Sequence, residues 1–343
     1  MTPHDKTQNK SSPQSDVTFM HQPDNGIAIS ARGLSKTYAG SKNQAPHPAL
    51  KAIDLDIPVG KIFGLLGPNG AGKSTFINIM AGTVVKTAGS LTVWNTDIDA
   101  NPRQARANIG IVPQELNVDA YFTPRQTVEM TAGLFGVPRH ERRTDAILEM
   151  VGLTDQADLY ARRLSGGMRR RLLVAKAMVH SPPILVLDEP TAGVDVALRQ
   201  KLWDNIMMLN ESGVTIVLTT HYLEEAETLC DHVAIINQGT LITSKPKSEL
   251  MAGASRKELH MTIANNTGTA KNTGIALPEA LKNLGAKWEN GKLSVLYDPK
   301  QINAATIITT VTKAGMEVEE VSTIEPDLED VFLELTNSDT PPT

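Results

Sequence analysis

The residues best suited to chemistry in this sequence form a glycine-rich loop that ends in a lysine and two hydroxyls. Residues 67–75 read GPNGAGKST, which matches the pattern G-x-x-x-x-G-K-[ST] of phosphate-binding loops. Such a loop turns successive backbone N–H groups toward one anion, helped by the dipole of the following helix. Lys73 adds a positive charge for the β- and γ-phosphates, and the Ser74 hydroxyl is placed to ligate Mg²⁺. The residues expected to contact the nucleotide are Gly67, Pro68, Asn69, Gly70, Ala71, Gly72, Lys73, Ser74 and Thr75.

The segments on both sides of this loop support a nucleotide site. The apolar run at 61–66 predicts a strand before the loop, and residues 76–82 predict a helix after it. The alternative is an ordinary glycine-rich turn with a solvent-facing lysine, which the flanking strand and helix disfavour. A phosphate loop indicates a nucleotide but does not specify a function.

Two adjacent carboxylates follow another apolar strand, predicted at 184–187. Open parallel sheets bind ligands at the carboxyl ends of their strands, where Asp188 can hold the Mg²⁺ shell. Glu189 can orient and deprotonate a water that faces the γ-phosphate. On their own, the two acids would more often cap the next helix. His221 lies at the end of a strand predicted at 214–219, two residues beyond it, and from there it can reach the γ-phosphate. An isolated histidine at such a place would usually be structural.

A serine and two glycines lie at the start of a predicted helix, in the stretch LSGGM at 164–168. A hydroxyl and two glycines that allow close approach, at a helix N-terminus, can form a second anion site. Taken alone, this segment would be an ordinary serine cap with a glycine turn. The residues concerned are Ser165, Gly166 and Gly167.

Composition limits the class of protein. The chain has 343 residues, which suggests two domains or one large domain with an appendage, and 41% of them are apolar, enough for a buried core. No apolar stretch approaches the ~18 residues that span a bilayer, so work at a membrane requires a partner that supplies the span. The net charge of −5 does not favour a nucleic-acid binder. Three consecutive arginines, Arg169, Arg170 and Arg171, could suggest nucleic acid, but they are interpreted as charged residues of a solvated helix face that pair with acidic side chains. Cys230, the only cysteine, excludes an intramolecular disulfide and fits a reducing cytosol.

The order of predicted elements indicates an α/β fold. Short β-branched runs alternate with helical patterns through residues 26–255, which predicts a mostly parallel sheet covered on both faces. The strand signal disappears at about 121–165, where a helical subdomain is expected, with helices predicted at 126–134 and 141–151. Residues 256–343, with a hairpin signal at Asn290 and Gly291, predict a small C-terminal α+β domain. The polar stretch at 1–25 lacks the features of a secretory signal and is expected to be a disordered tail.

Taken together and in this order, these motifs resemble the ATP-binding cassette (ABC) ATPase family across residues 27–251. The resemblance implies a P-loop NTPase cassette that binds ATP with Mg²⁺ and hydrolyses it. Met168 stands where the family most often has glutamine, and little loss of activity is expected. The resemblance implies that Tyr38 stacks on adenine and that Gln114 contacts Mg²⁺ and water. It also implies that Ser165, Gly166 and Gly167 form a signature that touches the γ-phosphate bound by the other subunit. Asp195 would lie in a loop that crosses the dimer interface, and His221 would be the switch histidine. The expected catalytic residues are Glu189, His221 and Lys73, and the expected metal ligands are Ser74, Gln114 and Asp188.

The resemblance also implies partners. An ABC site is composite, and this chain has one phosphate loop and one signature, so a head-to-tail pair of identical chains is expected, with a heterodimer as the alternative. The stretches HYLEEAE at 221–227 and LEDVFLEL at 328–335 resemble ATPases of type-2 ABC exporters. Such ATPases serve drug, polysaccharide, lipid or nodulation-factor export through a separate integral membrane permease, on the cytoplasmic face of the inner membrane.

Two other kinds of cassette protein remain as alternatives. An importer ATPase shares every cassette motif but usually has a longer β-rich regulatory tail. A cassette ATPase that acts on ribosomes or nucleic acid generally has two cassettes or a long coiled coil, and neither is visible in this sequence.

Overall fold

The structure is a computed structural model. It describes residues 22–23, 25–40, 45–192, 196–253, 257–264, 277–282, 284–289, 292–299 and 301–337. Nearly all of the predicted N-terminal tail therefore lies outside the described residues, as do Asp195 and the turn residues Asn290 and Gly291.

The described residues contain the following strands and helices. The strands are β1 (Ile27–Tyr38), β2 (His47–Pro58), β3 (Ile62–Leu66), β4 (Ala88–Val93), β5 (Thr96–Asp97), β6 (Ile109–Val112), β7 (Ile184–Asp188), β8 (Thr215–Thr220), β9 (His232–Asn237), β10 (Thr240–Pro246), β11 (Lys257–Ile263), β12 (Lys287–Glu289), β13 (Lys292–Tyr297) and β14 (Val318–Ile324). The α-helices are α1 (Lys73–Met80), α2 (Pro102–Ala107), α3 (Pro124–Leu134), α4 (Thr144–Met150), α5 (Gly166–Met178), α6 (Val196–Glu211), α7 (Leu223–Leu229), α8 (Lys247–Gly253), α9 (Glu279–Lys282), α10 (Ala304–Lys313) and α11 (Leu328–Asn337).

The central sheet has six strands in the order β10-β9-β3-β8-β7-β6. Its strands are parallel except for the edge strand β10. Neighbouring residues of one strand enter different hydrophobic clusters: Ile184 lies in one cluster and Leu185 in the other. Because successive side chains of a strand point to opposite faces, the sheet is buried on both sides. The prediction of a mostly parallel, doubly covered sheet is confirmed.

A second sheet, β2-β1-β4-β5, is antiparallel and was not predicted. Strands β1 and β2 are consecutive, and the eight residues between them are too few for the crossover that a parallel pair needs. Leu34, Ile53 and Leu91 from this sheet are fully buried in the cluster that also contains Phe76 of α1. The antiparallel sheet therefore packs against the helix that follows the phosphate loop.

Two helices, α3 and α4, occupy the region where the strand signal disappears. Helix α3 begins at Pro124, two residues before the predicted start, because Thr123 and Gln126 form a reciprocal capping box. Helix α4 begins at Thr144, three residues later than predicted, because Arg139–Glu141 forms a separate 3₁₀ turn. No helix among the described residues is long and apolar enough to cross a bilayer.

The C-terminal residues form a third sheet, β12-β13-β11-β14, with its own hydrophobic cluster. Helix α10 covers this sheet through Ile307 and Val311. Helix α11, however, packs on α7 and α8 and places Leu328 in a core cluster that includes residues of the central sheet. The domain boundary between residues 255 and 256 stays a prediction. Helix α11 follows this boundary in the sequence, but it packs on α7 and α8, which precede it.

Leu328 anchors α11, because its side chain is 0% exposed. Replacing Leu328 with alanine should lower the free energy of unfolding by about 2–5 kcal/mol, the usual cost of a buried leucine cavity. Leu333 on the same helix is 48% exposed, and its replacement should change stability by no more than about 0.5 kcal/mol. Denaturant unfolding of both variants tests this, and equal effects would show that α11 is not anchored through Leu328.

Candidate active site

The phosphate-binding loop connects β3 to α1, as predicted. Two of its glycines are required by close contact with neighbouring backbone. Gly67 has φ 154°, and a Cβ there would lie 2.1 Å from the carbonyl oxygen of Ile236. Gly72 has φ 113°, and a Cβ there would lie 2.6 Å from the carbonyl oxygen of Ala49. The loop is therefore held against the backbone of β9 and β2, and α1 begins at the next residue, Lys73.

The Lys73 ammonium group lies inside the curve of this loop. Its Nζ donates to the carbonyl oxygen of Gly67 at 2.6 Å and to that of Pro68 at 3.2 Å. Burial lowers the pKa of Lys73, while the nearby charges of Glu189 and Asp188 oppose this change. A buried cation thus faces two carboxylates, the arrangement expected where phosphate and a divalent metal bind together.

Asp188 ends β7 and Glu189 follows it, and Thr219 of the adjacent strand β8 contacts the Asp188 carboxylate and the Glu189 backbone. Its hydroxyl donates to Asp188 Oδ1 at 2.5 Å, and the backbone N–H of Glu189 lies 3.2 Å from the same hydroxyl. The Glu189 N–H also donates to the Thr219 carbonyl oxygen at 3.0 Å. Glu189 has φ 47°, a left-handed conformation that is costly for a non-glycine residue. Sequence reasoning missed Thr219, although its place two residues before His221 offered a signal.

The Glu189 carboxylate also lies between Gln114 and His221. Gln114 Nε2 donates to Glu189 Oε2 at 2.8 Å, and His221 Nδ1 lies 3.2 Å from Glu189 Oε1. The three residues follow β6, β7 and β8, which are neighbours in the parallel sheet. The structure therefore brings together three side chains that are 32 or more residues apart in the sequence.

Tyr38 lies at the end of β1, beside the phosphate loop. Its hydroxyl is 3.5 Å from the Thr75 hydroxyl, and the ring is partly exposed. Lys36 Nζ lies 5.0 Å from the ring centroid. An accessible aromatic face therefore stands next to the loop, where a nucleotide base can stack.

The serine–glycine segment forms the N-terminus of α5, a helix of 13 residues. The Ser165 hydroxyl accepts a hydrogen bond from the Met168 N–H at 3.3 Å. Ser165 and Gly166 are exposed, whereas Gly167 is buried. A Cβ added to Gly166 would meet no heavy atom within 4 Å. This helix end is both a serine cap and an open surface.

The arginines that follow do not form the soluble helix face that was expected. Arg170 is 3% exposed and donates to the carbonyl oxygen of Pro113 at 2.8 Å. Arg171 donates to the carbonyl oxygens of Val151 at 2.9 Å and Gly152 at 2.7 Å. Burial lowers the pKa of both guanidinium groups. These two residues tie α5 to the segment before Gln114 and to the end of α4.

The oxygen donors near Lys73 suit Mg²⁺, which prefers hard oxygen ligands and takes several of them from phosphates and water. The donors are one carboxylate, one hydroxyl and one amide oxygen. The described residues contain no group of three or more His, Cys, Asp or Glu side chains that could hold a metal by themselves. The residues suited to share a nucleotide-bound Mg²⁺ are Ser74, Gln114 and Asp188.

Comparisons with known proteins agree with this geometry. Residues 50–192 match the ABC transporter family. The chain is 34% identical to the daunorubicin resistance ATP-binding protein DrrA2 of Streptomyces coeruleorubidus, over 91% of this chain and 95% of that protein. It is 31% identical to the linearmycin resistance ATP-binding protein LnrL of Bacillus subtilis strain 168, over 90% of this chain and 98% of that protein.

Solved structures show the same fold. CbiO1 from Clostridium perfringens, part of the ABC transporter complex cbiONQ, aligns with a TM-score of 0.60 and 28% identity over 66% of this chain and 91% of that chain. The ADP- and phosphate-bound dimer of the ATP-binding cassette MJ0796 aligns with a TM-score of 0.56 and 27% identity over 64% of this chain and 98% of that chain. The fold and the site define a P-loop ATPase cassette. The chain belongs to the ABC transporter family, whose cassettes bind and hydrolyse ATP, form dimers and work with membrane permeases.

Proposed function

We propose that this protein drives export through a separate membrane permease by hydrolysing ATP between two identical copies. ATP hydrolysis is supported by the position of the Glu189 carboxylate, which lies between Gln114 and His221 and near the charge of Lys73. Export is supported by the names of the two relatives that match about nine-tenths of the chain, both resistance ATP-binding proteins. An importer ATPase is less well supported, because these matches include the C-terminal region.

In the proposed reaction, Glu189 takes a proton from the attacking water as a general base. Gln114 and His221 fix the carboxylate from two sides, and His221 reaches the γ-phosphate. Lys73 and the loop N–H groups bind the phosphates, while Tyr38 stacks on adenine. Mg²⁺ held by Ser74, Gln114 and Asp188 would neutralise charge on the transferred phosphoryl group.

The second copy is proposed to complete the site. The N-terminus of α5 is an anion-binding surface with open space beside Gly166. Each chain has one phosphate loop and one such helix end, which suits a head-to-tail pair with two ATP sites at its interface. Each of these two interface sites, called a seam below, contains the phosphate loop of one copy and the helix end of the other. Ser165, Gly166 and Gly167 would contact the γ-phosphate of the opposite copy, and Asp195, which is outside the described residues, would cross the interface. The cassette MJ0796, which was solved as a dimer, supports a pair of cassettes.

The proposed permease surface lies on and around α3 and includes the segment that follows Gln114 in the sequence. Leu134 is 80% exposed and Tyr121 is 74% exposed, and a group of exposed apolar side chains commonly marks a protein-interaction surface. The partner would be an apolar cytoplasmic segment of the permease, and the protein would then lie on the cytoplasmic face of the membrane. Other exposed apolar side chains in this region are Leu116, Phe122, Met130, Phe135, Leu159 and Tyr160.

Co-expression with a candidate permease tests this function. The ATPase rate is expected to rise when permease-containing vesicles are added, and Leu134→Asp should abolish the increase without changing the rate of the protein alone. Leu333→Asp, at an exposed position of α11, is the control. Stimulation by RNA instead of by the permease would support a non-transport cassette, and co-purification with a substrate-binding protein would support an importer.

A further inference from the structure

The backbone that carries Gln114 lies beyond the paired part of the central sheet. Strand β6 is an edge strand, and its last residue that pairs with β7 is Val112, two residues before Gln114. Gln114 is exposed, yet its side chain has to point at Glu189, to which Nε2 donates at 2.8 Å. A residue in such a place keeps one direction only where another contact fixes its backbone. The contact that does so therefore bears on the geometry of the active site.

Arg170 of α5 makes that contact. Its Nη1 donates to the carbonyl oxygen of Pro113 at 2.8 Å. This carbonyl belongs to a planar peptide unit whose other end is the Cα atom of Gln114. The ring of Pro113 restricts φ directly before the same unit. The guanidinium and the ring together set the orientation of the peptide from which the Gln114 side chain starts.

The Arg170 side chain is fixed in turn, because the helix that carries it packs tightly on β6. A Cβ added to Gly110 of β6 would lie 2.4 Å from the carbonyl oxygen of Ala177, near the end of α5. Backbones that approach this closely leave little room for the helix to shift against the strand. Arg170 itself is 3% exposed. A buried side chain on a closely packed helix is thus well suited to hold a neighbouring peptide in place.

Arg170 lies beside both strands that lead to Gln114 and Glu189. It lines a small cavity together with Val112 of β6 and with Pro190, the residue after Glu189. The Nε atom of Arg170 is buried, and among the described residues it has no hydrogen-bond partner. A buried N–H group without a partner costs free energy, so stability alone does not explain an arginine here. Its place beside the two strand ends favours a role in the reaction.

We propose that Arg170 is a positioning residue for ATP hydrolysis, which acts by holding the peptide between Pro113 and Gln114. With this peptide fixed, Gln114 Nε2 stays on the Glu189 carboxylate, and the amide oxygen is left for Mg²⁺. Arg170 acts through Gln114 and not on the nucleotide. The proposal rests on the roles proposed above for Gln114 and Glu189. Loss of the Arg170 bond should let the Gln114 side chain leave the site while the Lys73 loop stays intact.

Arg170→Met is the direct test, because methionine has an apolar side chain of similar length and no side-chain N–H group. Its kcat in ATP hydrolysis should fall roughly tenfold to a hundredfold, the effect of misplacing a group at the site by about 1 Å. The Mg²⁺ concentration that gives half of the maximal rate should rise about tenfold, because one ligand of the ion is no longer oriented. The dissociation constant for ATP without Mg²⁺ should stay within about twofold, since the Lys73 loop is unchanged.

Arg171→Met is the matched control, because it makes the same change at the next position of α5. Arg171 also donates to backbone carbonyl oxygens, but these belong to Val151 and Gly152 at the end of α4. This variant should lose stability, while kcat of the folded protein and the Mg²⁺ requirement stay within about twofold of the original values. Equal effects of the two substitutions on kcat and on the Mg²⁺ requirement would overturn the specific role of Arg170.

Two further measurements separate positioning from folding. Arg170→Lys should lose less activity than Arg170→Met, because an ammonium group can still donate to the Pro113 carbonyl oxygen. The melting temperature of Arg170→Met near neutral pH should be unchanged or higher, since a costly buried charge is removed. A lower melting temperature with a normal kcat in the folded fraction would assign Arg170 to the fold alone and overturn the proposal.

A double-mutant cycle with Gln114 tests the proposed connection. Gln114→Ala alone should lower kcat, and adding Arg170→Met to it should cause little further loss, because both changes act through one side chain. Independent losses that multiply, or a normal kcat and Mg²⁺ requirement in Arg170→Met, would count decisively against the role of Arg170.

Glu189→Gln, measured in parallel, separates this proposal from the proposed function. Full turnover in Glu189→Gln would contradict the proposed active site together with the role of Arg170. Slow turnover there, with normal turnover in Arg170→Met, would contradict the role of Arg170 alone.

Discussion

Glu189→Gln is expected to slow ATP hydrolysis by roughly 10²–10⁴-fold, the range for loss of a general base. The amide has nearly the same shape as the carboxylate, so it can remain between Gln114 and His221. It cannot take a proton from water. ATP affinity should change little, because Lys73 and the phosphate loop are intact. Single-turnover hydrolysis, with ATP binding measured separately, provides the test.

The control for this variant is Glu211→Gln, which makes the same chemical change at an exposed position near the end of α6. It should hydrolyse ATP at the rate of the unmodified protein. If Glu189→Gln also kept nearly the full rate, another group would have to act as the base, and the assignment of the Glu189 site would be wrong.

Two inactive variants are expected to restore activity to each other when mixed. Lys73→Ala removes the phosphate-binding cation. Gly166→Asp places a negative charge at the N-terminus of α5, where the fold tolerates it but the γ-phosphate of the opposite copy would be repelled. Each variant alone should lose nearly all activity. In a mixed dimer, one seam combines an intact phosphate loop with an intact helix end.

Mixing equal amounts should therefore recover up to about a quarter of the normal rate, because half of the dimers are mixed and each has one intact seam of two. A mixture of Lys73→Ala with Glu189→Gln is the control. Both changes affect the same half-site, so no seam is repaired. Failure of the first mixture to exceed the control would contradict a composite site.

The site could be predicted from sequence where a motif has a fixed local spacing. The phosphate loop, Glu189 and His221 each follow a buried strand, and parallel strands place such positions at one edge of the sheet. The assignment to an ATP-hydrolysing cassette is confirmed by the family match and the fold. The roles of the individual residues stay predictions, although Gln114, Glu189 and His221 do meet as expected.

The contacts that sequence missed join segments far apart in the chain. Arg170 and Arg171 look like a solvated charge run, but each donates to backbone carbonyls of another segment. Thr219 reads as an ordinary strand residue, yet its hydroxyl holds Asp188. Periodicity and composition describe local preference, whereas these partners are decided by tertiary packing. The packing of α11 onto α7 was missed for the same reason.

Two copies of this chain are proposed to enclose ATP between the Lys73 loop of one copy and the Ser165 helix end of the other. The most direct measurement is the mass in solution of Glu189→Gln, by light scattering, with Mg²⁺ and ATP and then with Mg²⁺ and ADP. A dimer that forms with ATP and dissociates with ADP is predicted, and adding Gly166→Asp to the same chain should prevent it. A variant that binds ATP but keeps the mass of one chain, even with its permease present, would contradict the account.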